Sequence, residues 1–271
     1  MPLHTRGKSN DELVQIGYGS YLVNAAADCA GCHSSAAGFL AGGTPFALDR
    51  NGHVVYARNL TPDAKTGMQL TRRQFVEAIR TGRDFHPDSH GMLVVMPWLS
   101  YRWASDGDLL AIYAYLRAIP PVSNVVPPDH KAGLGLPQAI PFTGVYNEGD
   151  VRRVLPPDDG SLMPNFQRGR AIQPLAEPHN LGNRKLFERG SYLANSLSDC
   201  GECHTQGVPG APLGRDNHLK LVTSHYLTGG NVFIAPPEVQ LTLHQNRAMA
   251  SNLRGARFGF FHEPGVDFHL F

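Results

Sequence analysis

At 271 residues the chain is long enough for one large domain or two small ones. Its 24 Lys and Arg nearly balance 23 Asp and Glu, so no strong field points toward nucleic acid or an anionic membrane. No run approaches the roughly 18 apolar residues of a membrane-spanning helix, while 29 Gly and 21 Pro argue short helices joined by long turns.

The opening stretch, "MPLHTRGKSNDELVQIGYGS", carries no apolar segment of the kind that marks a secretory signal. The first predicted helix is capped by Asp11 and carries Leu13, Ile16 and Gly17, with Tyr21 further along. It leads into "DCAGCHS", Asp28 to Ser34. A second helix opens at Thr71, where Gln74 completes a capping box, presents Phe75, Val76 and Ile79, and stops at Gly82. A third opens at Ser105 and Asp108. Leu109, Ile112, Tyr113 and Leu116 give it a helical stripe before Pro120-Pro121 halts it. Such stripes are ordinarily core packing. Gly17 and Gly19 are expected to let the first and third helices cross closely.

From Pro120 to Pro178 the chain holds eleven of its 21 prolines and little helical periodicity, which reads as an extended connector. Beyond it the first unit recurs. At an offset of 171, "GSYLVNAAADCAGCHS" from Gly19 lies on "GSYLANSLSDCGECHT" from Gly190. "FLAGGTPF" from Phe39 matches "YLTGGNVF" from Tyr226 at 187, and "ARNL" from Ala57 matches "ASNL" from Ala250 at 193. A repeat of this period reads as duplicated domains.

All four cysteines of the chain fall in the two C-x-x-C-H units, Cys29/Cys32/His33 and Cys200/Cys203/His204. Three chemistries use paired cysteines. A thioredoxin-like pair needs a strand before it, and here a helical pattern precedes it. A zinc site shared by the four thiols leaves the following His unexplained twice. C-x-x-C-H is the spacing for covalent attachment of haem c: two thioethers grip one edge of the macrocycle, and the adjacent His becomes the proximal ligand of the iron. Two matches that consume every cysteine favour this third chemistry. In a haem domain the core packed by the helical stripes includes a face of the porphyrin. Met96, in the Pro97-containing loop between the second and third helices, is the candidate distal ligand of the first haem, a soft thioether that favours Fe(II). The alternative is a core methionine; Met68 and Met92 lack this setting.

Together, "GSYLVNAAADCAGCHS", "AGGTPF", "NLTPD", "LTRRQFVEAIRTGR", "MPWLSYRWASDGDLLAIYAYLRAIPPV" and "RGSYLANSLSDCGECHT" resemble the c-type cytochrome subunits of membrane-associated alcohol, gluconate and sorbitol dehydrogenases. The likeness covers the first unit and the front of the second. It implies a mainly α fold of two tandem cytochrome c-like domains, the second incomplete, joined by the Pro-rich connector. The expected boundaries are 11–122, 123–182 and 183–271. It also implies covalent attachment at Cys29, Cys32, Cys200 and Cys203, proximal ligation by His33 and His204, and distal ligation by Met96. Family members usually have three such domains and a signal peptide, and this chain departs from that pattern.

At the last offset the counterpart of Met96 falls at 289, beyond Phe271, although Phe268 echoes Phe75. Candidate distal ligands of the second haem are therefore His262, His269 and Met249, with His225 and His244 behind them. The second iron is expected to differ electronically from the first, with His the favoured ligand.

The leading functional expectation is a protein with two covalently bound haem c groups. It relays electrons between a partner dehydrogenase and a downstream acceptor, without a substrate of its own. It associates with membranes only through partners, has no nucleic-acid partner, and works in the periplasm or another extracytoplasmic space, where haem attachment occurs. The alternative is a peroxidase-like dihaem enzyme with the second haem as an open catalytic site. A zinc-binding module is the third class.

Overall fold

A computed structural model of the chain describes residues 2–47, 54–86, 89, 91–93, 95–129, 166–172, 174, 182–208, 214, 216, 221–234 and 247–253. The described residues are mainly helical, with two short antiparallel hairpins. Two compact units separate. The first takes Met1–Pro141, Pro156–Arg170 and Lys185–Ser198; the second takes Phe142–Leu155, Ala171–Arg184 and Asp199–Phe271.

Helix α1 spans Asn10–Tyr21. Its cap is Ser9 rather than Asp11: the Ser9 hydroxyl accepts from the Glu12 N–H, and the Glu12 carboxylate accepts in return from the Ser9 N–H. Asp11 instead sits inside the first turn, where its charge complements the helix dipole. A five-residue π turn, Leu22–Ala26, follows directly, then α2, Cys29–His33, which is the first C-x-x-C-H unit. Strands β1 (Pro45–Ala47) and β2 (Val54–Tyr56) form a hairpin.

Helix α3 is Arg72–Thr81, with the Thr71–Gln74 capping box in place and Gly82 as a left-handed C-cap at φ 73°. A one-turn helix α4, Trp98–Tyr101, precedes α5, Asp106–Ala118, whose first turn is capped by Ser105. Leu109, Ile112 and Leu116 are buried as their spacing implies. They join Ile16, Leu22, Val23, Leu40, Phe75 and Ile79 in one apolar core.

α1 crosses α5 at Gly19, where an added β-carbon would lie 1.9 Å from the Ala111 carbonyl oxygen. Gly17 meets nothing within 4 Å and plays no part in the crossing. The difference is helical phase: two residues apart means about 200° around the axis, so only one of the pair can face α5.

Within the stretch read as an extended connector, residues 121–129 carry no regular structure, and a helix α6 stands at Phe166–Ile172. Residues 130–165 lie outside the described residues. α6 is packed closely on helix α7, Arg184–Asn195: Ser191 donates to the Gly169 carbonyl at 2.6 Å. α7 also joins the first unit's helices through Tyr192, a fully buried side chain whose hydroxyl donates to the buried Asp108 carboxylate. Tyr18 of α1 donates to the other oxygen of Asp108 at 3.0 Å. The second C-x-x-C-H unit is α8, Cys200–His204, and β3 (Val232–Ile234) pairs with β4 (Arg247–Met249).

Candidate haem-attachment sites

The two motifs adopt the same backbone. Asp28 and Asp199, the residues before each first cysteine, are left-handed at φ 44° and 42°. Asp is one of the few non-glycine residues that tolerates this region, because its short polar side chain relieves part of the cost. The reversal ends the lead-in helix and starts the attachment turn in a new direction. Just before it, an i to i+5 hydrogen bond occurs ahead of both motifs: Ala27 N–H to Leu22 O at 2.8 Å, and Ser198 N–H to Leu193 O at 2.9 Å. Such wide turns commonly mark functional sites in helices.

After each motif the chain turns back over its histidine. Gly42 N–H donates to His33 O at 2.7 Å, and Gly229 N–H donates to His204 O at 2.7 Å. Leu40 and Leu227 are both left-handed, at φ 55° and 57°. Their amides are held by the residues just after each His: Leu40 N–H by Ser34 Oγ and Leu227 N–H by Thr205 Oγ1, each at 3.0 Å. The hairpins keep the same correspondence, with Pro45 opposite Tyr56 in one and Val232 opposite Met249 in the other.

This return chain places a carbonyl against each imidazole. His33 Nδ1 lies 2.8 Å from Arg58 O, and His204 Nδ1 lies 2.8 Å from Ser251 O. A carbonyl oxygen only accepts, so Nδ1 carries the hydrogen in each case. Nε2 is left with its lone pair available to a metal, the arrangement that orients ligating histidines. Burial holds His33 below the usual histidine range and so keeps the ring neutral.

Burial also pushes the Cys29 thiol up to about 12 and raises Cys200 and Cys203. None of the four cysteines is in a disulfide. Among the described residues no three His, Cys, Asp or Glu side chains gather as a metal cage. The first motif is preceded by helix, not by the strand that a thioredoxin-like pair requires. Two thiols on one turn, an adjacent imidazole with its outer nitrogen available, and a neighbouring thioether fit a covalently held haem in the first unit. The second unit shows the same thiols and imidazole.

Met96 is half-buried and packs on the same apolar core as Cys29 and Ala30. Its loop is anchored by Trp98, a residue the sequence pattern did not single out. The indole N–H donates to Leu93 O at 3.0 Å, and the ring covers Gly82 so closely that a β-carbon there would fall 2.3 Å from it. Met68 is buried in the core, and Met92 pairs with Arg83 in an isolated bridge. Of the candidates for the second iron, Met249 sits on β4 with 69% of its surface exposed, at the register position of Tyr56. His225 is exposed in a short 3-10 turn, Thr223–His225. His244, His262, His269 and Phe268 lie outside the described residues.

No protein-family model matches the chain. Curated relatives do. The chain is 31% identical over 201 residues to the gluconate 2-dehydrogenase cytochrome c subunit of Pantoea cypripedii, covering 73% of this chain and 39% of that protein. It is 30% identical over 194 residues to the fructose dehydrogenase cytochrome subunit of Gluconobacter japonicus, covering 70% and 34%. It is 27% identical over 212 residues to the cytochrome c subunit of the quinone-dependent alcohol dehydrogenase of Gluconobacter oxydans, covering 77% and 37%. The chain thus spans less than two fifths of the length of these relatives. Over most of its own length, it is a homologue of the cytochrome c subunits of gluconate, fructose and quinone-dependent alcohol dehydrogenases.

Proposed function

We propose that the chain carries one covalent haem c at each motif and relays single electrons between a partner dehydrogenase and a downstream acceptor. The observation that carries this reading is the matched bond from each motif histidine to a main-chain carbonyl, His33 to Arg58 and His204 to Ser251. When bound, haem supplies an iron that cycles between Fe(III) and Fe(II). The protein's part is to hold and tune it. Cys29 with Cys32, and Cys200 with Cys203, tether the macrocycle, and His33 and His204 present a ring nitrogen oriented by the main-chain carbonyl behind it. Met96 closes the first site, so electrons pass there without a substrate binding. The domains proposed are 11–122 and 183–271, joined by 123–182.

The partner is read from the relatives' names, each a subunit of a dehydrogenase. Among the described residues no helix is long and apolar enough to cross a membrane, and any membrane association is proposed to run through that partner. The compartment proposed is extracytoplasmic, because C-x-x-C-H haem attachment requires it.

Intact mass after acid denaturation tests the cofactor count: two haems above the polypeptide mass are expected, and one or none overturns the dihaem reading. Visible spectra of the reduced protein then separate relay from catalysis. Low-spin bands from both haems support relay. A high-spin component that binds carbon monoxide marks an open second iron and a peroxidase-like role.

A further inference from the structure

Arg58 does two things at once. Its main-chain carbonyl holds the His33 ring at 2.8 Å, and its side chain joins a polar cluster with Asp129 and Asp84. Nη2 pairs with Asp129 Oδ2 at 2.6 Å. Asp129 is itself fixed, with a side chain only 4% exposed and its Oδ1 accepting from the Tyr56 N–H at 3.1 Å. Asp84 stands 3.7 Å from the same Nη2, too far for a hydrogen bond. Nη1 is buried and has no hydrogen-bond partner among the described residues. A buried guanidinium nitrogen left without an acceptor is costly, and native structures rarely leave one so.

The place of this cluster narrows what the acceptor is. Arg58 belongs to the segment that anchors the proximal histidine. Asp84 belongs to the turn that leads to Met96, pinned by Asp84 N–H to Gly91 O at 3.2 Å and Leu93 N–H to Gly82 O at 2.7 Å. Axial ligands lie on opposite faces of a macrocycle, so a side chain joining the segments that carry them passes its edge. The thioether edge is taken up by α2, where Cys29 and Ala30 pack on the apolar core. Arg58, Asp84 and Asp129 have no place in that core. The polar edge of a haem is the one that bears its two carboxylates.

We infer that Nη1 of Arg58 donates to a haem carboxylate at the first site, with Asp129 holding the guanidinium in place. An arginine fork presents five donors in a fixed plane and suits two carboxylates at once. The second unit has Ser251, an uncharged residue, at the matching position. The pairing is therefore specific to the first haem. This inference rests on the proposal that the first motif carries haem.

The test uses the full chain with both haems, their carboxylates isotopically labelled by feeding labelled aminolevulinate, and redox-difference infrared spectroscopy. Arg58→Gln is expected to shift the labelled carboxylate bands of one haem. It should also lower the potential of the first haem, since a fixed positive charge there disfavours Fe(III), and leave the second unchanged. Arg58→Lys keeps the charge and is expected to retain most of the potential while still altering the bands. Labelled bands that superimpose on those of the parent, with both haems present by mass, overturn the inference. A haem missing from the parent protein itself would instead overturn the reading beneath it. If Arg58→Gln fails to take up the first haem, Asp129→Asn decides: it keeps the cation and its main chain but loosens the anchor. Shifted bands then support the pairing, and unshifted bands refute it.

Discussion

Gly19 of α1 and Ala111 of α5 stand so close that a β-carbon on the glycine would lie 1.9 Å from the alanine carbonyl oxygen and 2.5 Å from its carbonyl carbon. Those atoms are main chain and cannot rotate away, so the helices themselves must part. Gly19→Ala is expected to destabilise the protein by about 1–3 kcal/mol, the usual cost of overpacking. Gly17→Ala meets nothing within 4 Å and should gain about 0.5–1 kcal/mol from helix propensity. Gly190, the repeat counterpart of Gly19, also meets nothing within 4 Å, and its alanine variant should behave like that at Gly17. Denaturant midpoints of the three variants check the ordering.

Met96→Ala is expected to abolish the Met-to-iron charge-transfer absorbance of the first haem and to lower its potential, because a thioether stabilises Fe(II). Since Met96 is only half-buried, the fold should survive the change. Trp98→Ala acts on the loop instead. Removing the ring that covers Gly82 and the bond to Leu93 O is expected to weaken the same absorbance without deleting the sulfur. An absorbance untouched by Met96→Ala would assign the ligand elsewhere.

Tyr18 and Tyr192 both give their hydroxyls to Asp108. Burial, and then the Asp108 charge, hold both phenols well above the usual tyrosine range. An acid whose folded-state pKa is raised contributes stability that is fully present below its unfolded value and lost as pH climbs. The unfolded value for tyrosine is about 10, so the denaturant midpoint should hold to about pH 9 and fall steeply above it. In Tyr18→Phe and Tyr192→Phe the alkaline fall should be shallower. At neutral pH each variant should lose about 1–3 kcal/mol, because Asp108 is left short of a donor in a buried site. Midpoints that track the parent at every pH would deny the cluster an energetic role.

Local chemistry was readable in the residues where one short stretch decides it. Thr71 with Gln74, Gly82 and Ser105 each cap a helix as their type and position imply. The repeat "ARNL" and "ASNL" was visible too, but its purpose was not. Arg58 and Ser251 act on the histidines through main-chain oxygens, which every residue has, so no side-chain pattern announces them. Trp98 was missed for a related reason: its packing on Gly82 joins residues from separate segments. The cap at Ser9 lost out to Asp11 because both are good N-cap residues, and only the reciprocal Glu12 bond distinguishes them.

The carbonyls that steady His33 and His204 are beyond the reach of ordinary substitution. A codon change at position 58 or 251 replaces the side chain and leaves the oxygen. Imidazole orientation is thereby insulated from drift at those positions, while the side chains there stay free to diverge, as Arg and Ser have done. Each unit can then acquire its own electrochemical setting at a residue whose main chain never stops serving the ligand. For engineering, substitutions at positions 58 and 251 change the side chain beside each motif while leaving the carbonyl that orients its imidazole.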